Sequence, residues 1–400
     1  MFRLSGRGKL AVTCLISVTA AINAHAQQFK TLVTFDESNG STPYFTSLIQ
    51  GSDGDLYGTT ALGGINRHGT VFKITTDGTL TVLYSFTGGT DGDGPYAGLL
   101  LGSDGNFYGT TVGGGTYRYG TIFRITLQGK LKTLHSLALS DGVDPYAPLV
   151  QGSDGSLYGT ATAGGANAHG TIFKITPAGT FIVLHSFEGV DGNQPTSGLV
   201  QATDGNFYGT TYQGGPDNGH HGTVFKMTPD GVVNSLHSFD YTDGAFPQAG
   251  LIQDSDGNFY GTTQQGGNLS CNAPYGCGTV FRITPDGVVT TLYSFCSQSK
   301  CTDGFFPYAG VIKGADGSFY GTTAFGGGHI LANGGTLFRL TSDGVLTTLH
   351  RFAISGDVPY GGLFQDVSGE VFGTTTYGGN SGCGFCGTIF RMNFGLGSVF

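Results

Sequence analysis

The tetrapeptide Tyr108-Gly109-Thr110-Thr111 recurs along the chain at a near-constant interval, with one residue changed in the third copy (Ala161) and one in the last (Phe372). Successive copies start 51, 50, 50, 52, 60 and 52 residues apart. This interval is too long for most helical or leucine-rich repeats, but it suits a blade of four short β-strands. The sequence therefore predicts seven tandem copies of one four-stranded unit, with repeat cores that start at Tyr57, Tyr108, Tyr158, Tyr208, Tyr260, Tyr320 and Phe372.

The second repeat shows the four predicted strands most clearly. Its first strand begins at Pro95, because proline has no amide hydrogen and suits the start of a strand. Residues 103–105, Ser-Asp-Gly, predict a tight hairpin turn, and residues 106–111 predict a second strand rich in aromatic and β-branched residues. After a glycine-rich loop, residues 120–126 and 131–137 predict the third and fourth strands.

The copies of the fourth strand are displaced along the chain relative to the others. The third strand starts with Gly-Thr and occurs seven times, the last time at Gly387. The fourth strand also occurs seven times, but its first copy, Leu32-Val33-Thr34-Phe35, precedes the first complete repeat. An N-terminal strand that pairs with the last blade would close a ring and leave no open edge. We therefore predict an all-β, seven-bladed β-propeller with strand one innermost, closed by pairing of residues 29–35 with residues 387–393.

The N-terminal segment has the features of a secretory signal peptide. Basic residues up to Lys9 precede an apolar run over residues 10–22, and Ala24-His25-Ala26 has the small-x-small form of a cleavage site. The apolar run is too short to span a bilayer. We expect a signal peptide over residues 1–26, a single propeller domain over residues 27–400, and a secreted or periplasmic protein without a membrane span.

The charge of the remaining chain disfavours a polyanionic partner. Loss of residues 1–26 would remove three of the 18 basic residues and no acidic one, which leaves 15 Lys+Arg against 27 Asp+Glu and a net charge of −12. We therefore expect no nucleic-acid binding. Seven basic residues also recur at one position of the third strand, which predicts a structural role for Lys73, Arg124, Lys174, Lys226, Arg282, Arg339 and Arg391.

The repeated motifs resemble a known family. Asp-Gly-x-Phe/Leu-Tyr-Gly-Thr-Thr, a following Gly-Gly, and Gly-Thr-Val/Ile-Phe-Lys/Arg-Ile-Thr-x-x-Gly are similar to the GloVer (Gloeo/Verruco) tandem repeat of exported bacterial proteins over residues 29–393. The resemblance implies a secreted, propeller-like array. It carries no catalytic residues that could be transferred to this chain.

One face of the predicted ring carries the variable loops. The first-to-second and third-to-fourth turns are tight and share one face, whereas the second-to-third and fourth-to-first loops are longer and share the other, which we call the long-loop face. Scaffolds of this type place recognition in such loops. Aromatic residues and arginine commonly anchor interfaces, so we predict ligand contacts at Arg67, Tyr117, Arg118, Tyr119, His220, His221, Tyr275 and Phe385.

Two residue sets on this face raise the question of metal binding. His68, His169 and His221 occupy one repeat position, but equivalent positions of different blades are spread around the ring, which favours solvated polar residues over zinc ligands. Oxygen-rich loops near the channel can bind Ca²⁺, although Asp-Gly is also ordinary turn chemistry. We therefore expect no cofactor, with Ca²⁺ bound at the acidic loop residues as the alternative; these residues are Asp91, Asp93, Asp141, Asp144, Asp191, Asp243 and Asp303.

Six cysteines remain after the predicted cleavage, in three close pairs. An even number in an exported chain favours disulfides, which we predict between Cys271 and Cys277, Cys296 and Cys301, and Cys383 and Cys386. A redox motif or half of a zinc site is the alternative for the last pair. Redox cysteines of that kind normally lie at a helix N-terminus, which this β context does not offer.

The sequence favours a monomeric, non-catalytic binding or surface-interaction module for a glycan, a peptide or a cell-envelope component. The alternative is an extracellular hydrolase or lyase with a metal or a His/Asp site above the channel. Polar residues that break the repeat at the inner ends of the loops would favour the enzyme, and exposed aromatic residues across the face would favour the binding module.

Overall fold

The computed structural model describes residues 28–216, 220–328, 334–352, 358–379, 383 and 386–393. These residues form seven antiparallel sheets of four strands each, which confirms the predicted seven-bladed propeller. The one helix in the described part of the chain is a single 3-10 turn, and none there is long and apolar enough to cross a membrane. The predicted signal peptide lies outside the described residues.

The strands are numbered in chain order and grouped here by their position in the blade. The first strands are β2 (Ile49–Gln50), β6 (Leu100–Leu101), β10 (Val150–Gln151), β14 (Val200–Gln201), β18 (Ile252–Gln253), β22 (Ile312–Lys313) and β26 (Phe364–Gln365). The second strands are β3 (Leu56–Thr60), β7 (Phe107–Thr111), β11 (Leu157–Ala161), β15 (Phe207–Thr211), β19 (Phe259–Thr263), β23 (Phe319–Thr323) and β27 (Val371–Thr375). The third strands are β4 (Thr70–Ile74), β8 (Thr121–Ile125), β12 (Thr171–Ile175), β16 (Thr223–Met227), β20 (Thr279–Ile283), β24 (Thr336–Leu340) and β28 (Thr388–Asn393). The fourth strands are β5 (Leu80–Ser85), β9 (Leu131–Ser136), β13 (Phe181–Ser186), β17 (Val233–Ser238), β21 (Val289–Ser294), β25 (Leu346–Arg351) and β1 (Gln28–Thr34).

Blades 1 to 6 are continuous in sequence, and the N-terminal strand completes blade 7. The order of that sheet is β1-β28-β27-β26, and β1 pairs with β28 from Gln28 opposite Asn393 to Thr34 opposite Thr388. The hydroxyl of Thr374 in blade 7 also donates to the Thr46 carbonyl of blade 1 at 3.2 Å. Ring closure by the N-terminal strand is therefore confirmed.

Each residue of the repeated tetrapeptide has its own structural task, and the tyrosine anchors the blade at the first hairpin. In blade 2 the Tyr108 ring is fully buried, and its hydroxyl donates to Asp104 of the turn at 2.9 Å. The same bond joins Tyr158 to Asp154 at 3.0 Å. The repeated Asp-Gly turns and the repeated tyrosines thus form one motif, because the buried phenol needs a hydrogen-bond acceptor.

The two threonines of the tetrapeptide tie strands and blades together. The first, Thr110, donates to the Pro145 carbonyl of blade 3 at 2.9 Å. The second, Thr111, shares a 2.9 Å hydrogen bond with Thr121 on the third strand. The two buried hydroxyls of blade 2 are therefore satisfied, one by the neighbouring blade and one by the adjacent strand.

The glycine of the tetrapeptide makes room for the aromatic ring of the third strand. A Cβ atom on Gly109 would lie 2.5 Å from Cζ of Phe123 and 3.1 Å from Leu99. We expect Gly109→Ala to lower the free energy of unfolding by about 1–3 kcal/mol, because it overpacks a filled core. Gly362→Ala is the matched control, since its Cβ would meet nothing closer than Ser47 at 3.5 Å. Denaturant unfolding measures both, and equal costs would contradict this explanation of the repeated glycine.

The hydrophobic core lies between blades. One buried cluster combines Tyr57 and Phe86 of blade 1 with Phe107 and Phe123 of blade 2. The cluster between blades 7 and 1 includes Phe35 from the N-terminal strand. Every blade therefore depends on its neighbours for burial of its apolar residues, as expected for stacked repeats.

In five blades the basic residue of the third strand pairs with an acidic residue at the first hairpin of the same blade. Lys174 lies 2.8 Å from Asp154, Arg339 lies 2.8 Å from Asp316, and Arg391 lies 3.1 Å from Glu370. These contacts agree with the structural role predicted for the repeated position.

Candidate functional site

An open cavity of about 760 Å³ lies on the long-loop face, where the blades converge. Its wall combines Tyr44 of blade 1, Tyr96 of blade 2, Tyr146 of blade 3 and Gln248 of blade 5. The rings of Phe45 and Tyr146 belong to the non-adjacent blades 1 and 3, yet their centroids are 6.5 Å apart. The cavity is therefore centred on the ring axis, and we call it the central cavity.

Three tyrosines of the cavity wall, Tyr44, Tyr96 and Tyr146, come from one repeat position, directly after the proline that precedes the first strand. Five blades place tyrosine there, whereas blade 4 has Thr196 and blade 5 has Gln248. Because the first strands surround the channel, the residue at this position faces its mouth in every blade. We did not predict this site, although the repeated Pro-Tyr pair was its signal in the sequence; the five tyrosines are Tyr44, Tyr96, Tyr146, Tyr308 and Tyr360.

The five tyrosines form a continuous chain of ring contacts around the axis. Tyr44 lies between Tyr96 at 5.7 Å and Tyr360 at 5.1 Å, measured between ring centroids. Tyr96 contacts Tyr146 at 5.4 Å, and Tyr360 contacts Tyr308 at 4.7 Å. Burial raises the pKa of Tyr308 to about 12 and raises the pKa of Tyr96 and Tyr146. The phenols therefore stay protonated near neutral pH, where they can donate hydrogen bonds.

The other side of the central cavity is polar and incompletely hydrogen-bonded. Oγ1 of Thr162, Oγ1 of Thr196 and Oε1 of Gln248 are buried and have no hydrogen-bond partner among the described residues. Leaving such a group unsatisfied costs about 1–3 kcal/mol. These three residues therefore make this side of the cavity polar, and their oxygen atoms keep unused hydrogen-bonding capacity although the surrounding protein almost fully covers them.

Asp144 is the one carboxylate among the described residues that line the central cavity. Its backbone is held in the left-handed region (φ 55°), and its carbonyl accepts a hydrogen bond from the Thr162 amide at 3.2 Å. Burial raises the pKa of its carboxyl group, and no described side chain offsets that cost.

The other acidic residues of the fourth-to-first loops have partners within the protein. Asp141, Asp191 and Asp243 lie 2.6–2.9 Å from a histidine of the preceding fourth strand. Asp91 and Asp303 accept hydrogen bonds from tyrosines at the same strand position, and Asp93 lies 2.9 Å from Nδ1 of His68. These contacts give the six residues a role in holding the loops, whereas Asp144 has no such contact.

The structure connects some of the predicted ligand-binding residues to the central cavity. His221 and Tyr275 both contact the ring of Tyr241, at centroid distances of 4.1 and 6.1 Å. His221 also contacts Phe246 at 5.8 Å, and Phe246 contacts Tyr212, which lines the cavity, at 5.1 Å. An aromatic path thus leads from the exposed Tyr275 to the axis.

The remaining predicted residues lie further from this path. Tyr117, Arg118 and Tyr119 form an exposed stretch in the second-to-third loop of blade 2. His220 is exposed beside His221, and Arg67 borders a separate depression on blade 1. Phe385 lies outside the described residues.

All three predicted disulfides are confirmed. Bonds join Cys271 to Cys277, Cys296 to Cys301, and Cys383 to Cys386. In the described part of the chain, the two groups of three side chains with metal-ligating atoms close together both contain these cysteines. A thiolate is the form of cysteine that binds metal, so the disulfides favour a structural role. The first bond also anchors the loop that carries Tyr275.

Comparison with solved structures places the chain among β-propellers. Virginiamycin B lyase from Staphylococcus aureus shares 19% sequence identity at a TM-score of 0.60, over 94% of this chain and 99% of that chain. A fungal alcohol oxidase of the AA5 family, in complex with copper, shares 12% identity at a TM-score of 0.60, over 92% of this chain and 76% of that chain. At such identities the likeness shows the fold alone. No match was found among curated proteins.

The family comparison agrees with the repeats seen in the sequence. Residues 18–221, 80–273 and 269–399 match the Gloeobacter/Verrucomicrobia repeat, so the matches extend over nearly the whole chain. This result confirms the resemblance drawn from the repeated motifs. The chain belongs to the Gloeobacter/Verrucomicrobia repeat family.

Proposed function

We propose that this chain is an exported, non-catalytic binding propeller that recognises a carbohydrate through the central cavity. One observation carries the proposal: tyrosine rings line one cavity together with Thr162, Thr196 and Gln248, whose buried side-chain oxygen atoms have no hydrogen-bond partner among the described residues. A sugar ring combines an apolar face with hydroxyl donors. It can pack on the tyrosines while its hydroxyls face the polar side of the cavity.

The aromatic path across blades 4 and 5 supports a ligand longer than one sugar unit. Tyr212 lines the cavity and Tyr275 is exposed at the outer end, so aromatic surface continues from the axis to the rim. A bound oligosaccharide would start at the axis and extend along this path. Tyr117, Arg118 and Tyr119 would contact only the outer part of a branched or longer ligand.

Binding fits the cavity better than hydrolysis. Most glycoside hydrolases use a pair of carboxyl groups about 5–10 Å apart, and Asp144 is the single carboxylate among the described lining residues. Its raised pKa is the feature that favours the hydrolase or lyase alternative. Release of reducing ends or unsaturated products from a bound glycan would favour that alternative.

Export is the second part of the proposal. The basic and then apolar N-terminal segment and the three disulfides support it. N-terminal sequencing of the protein from its native host should give Gln27 as the first residue. Retention of residues 1–26 in the mature protein would contradict export by this route.

A glycan array followed by titration calorimetry tests the binding site. We expect the double variant Tyr96→Ala/Tyr146→Ala to bind the best glycan at least tenfold more weakly, because central aromatic residues dominate binding energy. The matched control is Tyr117→Ala/Tyr119→Ala, which removes two exposed tyrosines of the same face and should change affinity less than about threefold.

Thermal melting of both variants separates lost binding from lost folding. A third variant, Tyr275→Ala, should weaken binding of long oligosaccharides more than that of short ones. If the blade 2 variant loses binding while the central variant keeps it, the site lies at the rim. If no glycan binds the wild-type protein, the proposed function is wrong.

A further inference from the structure

We infer that the carbohydrate bound in the central cavity carries free, protonated amino groups, as oligosaccharides of glucosamine do. The inference rests on the proposed function and adds the charge of the ligand to it. Apart from the tyrosines, Asp144 has the one ionisable side chain among the described residues that line the cavity. Those residues include no Lys, Arg or His. A partly buried carboxylate without a partner favours a ligand that brings the opposite charge.

Comparison of the blades shows that the fold does not need a carboxylate at this position. Residues directly before the first-strand proline adopt φ near 55° in blade 1 (Thr42), blade 3 (Asp144) and blade 4 (Gln194). Their carbonyls accept equivalent backbone hydrogen bonds, from Ala61, Thr162 and Tyr212. Threonine and glutamine thus adopt the same backbone conformation and accept the same backbone hydrogen bond. The fold therefore does not require the carboxylate that blade 3 has at this position.

The surroundings of Asp144 suit an ammonium group for a second reason. Tyr146 is two residues away, lines the same cavity and belongs to the chain of rings through Tyr96 and Tyr44. Faces of aromatic rings attract cations within about 6 Å of the ring centre. An ammonium group between the carboxylate and these rings would gain from both, and the sugar hydroxyls would still reach Thr196 and Gln248.

Calorimetry with two trisaccharides of equal length tests the inference. One is the trimer of glucosamine, and the other is the trimer of N-acetylglucosamine, which lacks the positive charges. At pH 6 we expect the wild-type protein to bind the glucosamine trimer at least tenfold more tightly. Asp144→Asn should reduce this ratio to less than about threefold. Asp286→Asn is the control, because it removes the same charge from an exposed turn on the opposite face and should leave the ratio as in the wild type.

Tetramethylammonium and Ca²⁺ test the charge of the ligand separately from carbohydrate binding. Tetramethylammonium should shift the tyrosine NMR signals of the wild-type protein but not those of Asp144→Asn, whether or not any glycan binds. Equal or tighter binding of the N-acetylated trimer would overturn the inference and leave carbohydrate binding standing. Stoichiometric Ca²⁺ binding that depends on Asp144 would also overturn it, because the carboxylate would then serve a metal ion.

Discussion

Replacement of Phe35 by alanine is expected to lower the free energy of unfolding by about 3–5 kcal/mol, the usual cost of removing a buried phenylalanine. The Phe35 side chain is fully buried in the cluster between blades 7 and 1, and its ring lies 5.3 Å from that of Phe72. Its amide donates to the Gly387 carbonyl at 3.0 Å, so it also joins the two ends of the chain. Chemical denaturation of the variant measures the cost.

Phe86→Ala is the matched control, because Phe86 has the same place in a blade that is continuous in sequence. It is fully buried, its ring lies 5.3 Å from that of Phe123, and its amide donates to Gly69 at 3.0 Å. Equal costs at the two positions are expected if the N-terminal strand closes the ring in solution. A much smaller cost at Phe35 would mean that the ring opens there. Deletion of residues 27–36 should then also leave the melting temperature unchanged.

Raising the pH from 10 to 12 is expected to unfold the protein. Burial and a hydrogen bond to Asp104 raise the pKa of Tyr108 to about 12, and burial and a hydrogen bond to Asp256 do the same for Tyr260. Tyrosine in an unfolded chain ionises near pH 10. The stabilisation by these protonated phenols is therefore fully present below pH 10 and lost as the pH rises towards 12. Because the tyrosine recurs from blade to blade, the losses should add.

Circular dichroism and tyrosine absorbance, followed together against pH, measure this transition. Ionisation and unfolding should coincide, and a return to pH 8 should restore the fold. At pH 8 the variant Tyr108→Phe should have a free energy of unfolding about 1 kcal/mol lower than the wild type, because it lacks the hydrogen bond to Asp104. Between pH 10 and 12 its free energy of unfolding should fall less than that of the wild type. Full ionisation of the tyrosines at pH 10.5 in a folded protein would contradict the expectation.

The number of blades and the order of their strands could be predicted from the sequence, because the motifs that indicate them are local. Tyr108, Gly109, Thr110 and Thr111 contact the same kinds of partner as most of their equivalents in the other blades, so one unit repeats with nearly the same set of contacts. Counting the copies of each strand was enough to predict ring closure, because the first copy of the fourth strand, at residues 32–35, precedes the first complete repeat. The cysteine pairs could be predicted as well, since partners only 3–6 residues apart meet within one loop.

The repeated Pro-Tyr pair marks the residues of the central cavity but not their contacts, because these residues are about 50 positions apart and meet only when the ring closes. Tyr96 and Tyr146 look like ordinary strand residues until neighbouring blades place their rings 5.4 Å apart. Asp141 and Asp144 look alike in the sequence. The fold gives Asp141 a histidine partner at 2.9 Å and leaves Asp144 partly buried at the axis without one. The number of blades and the order of their strands were thus determined by the sequence through local contacts. The environment of each side chain at the axis was decided by tertiary structure, because burial and the choice of partner depend on residues from several blades at once.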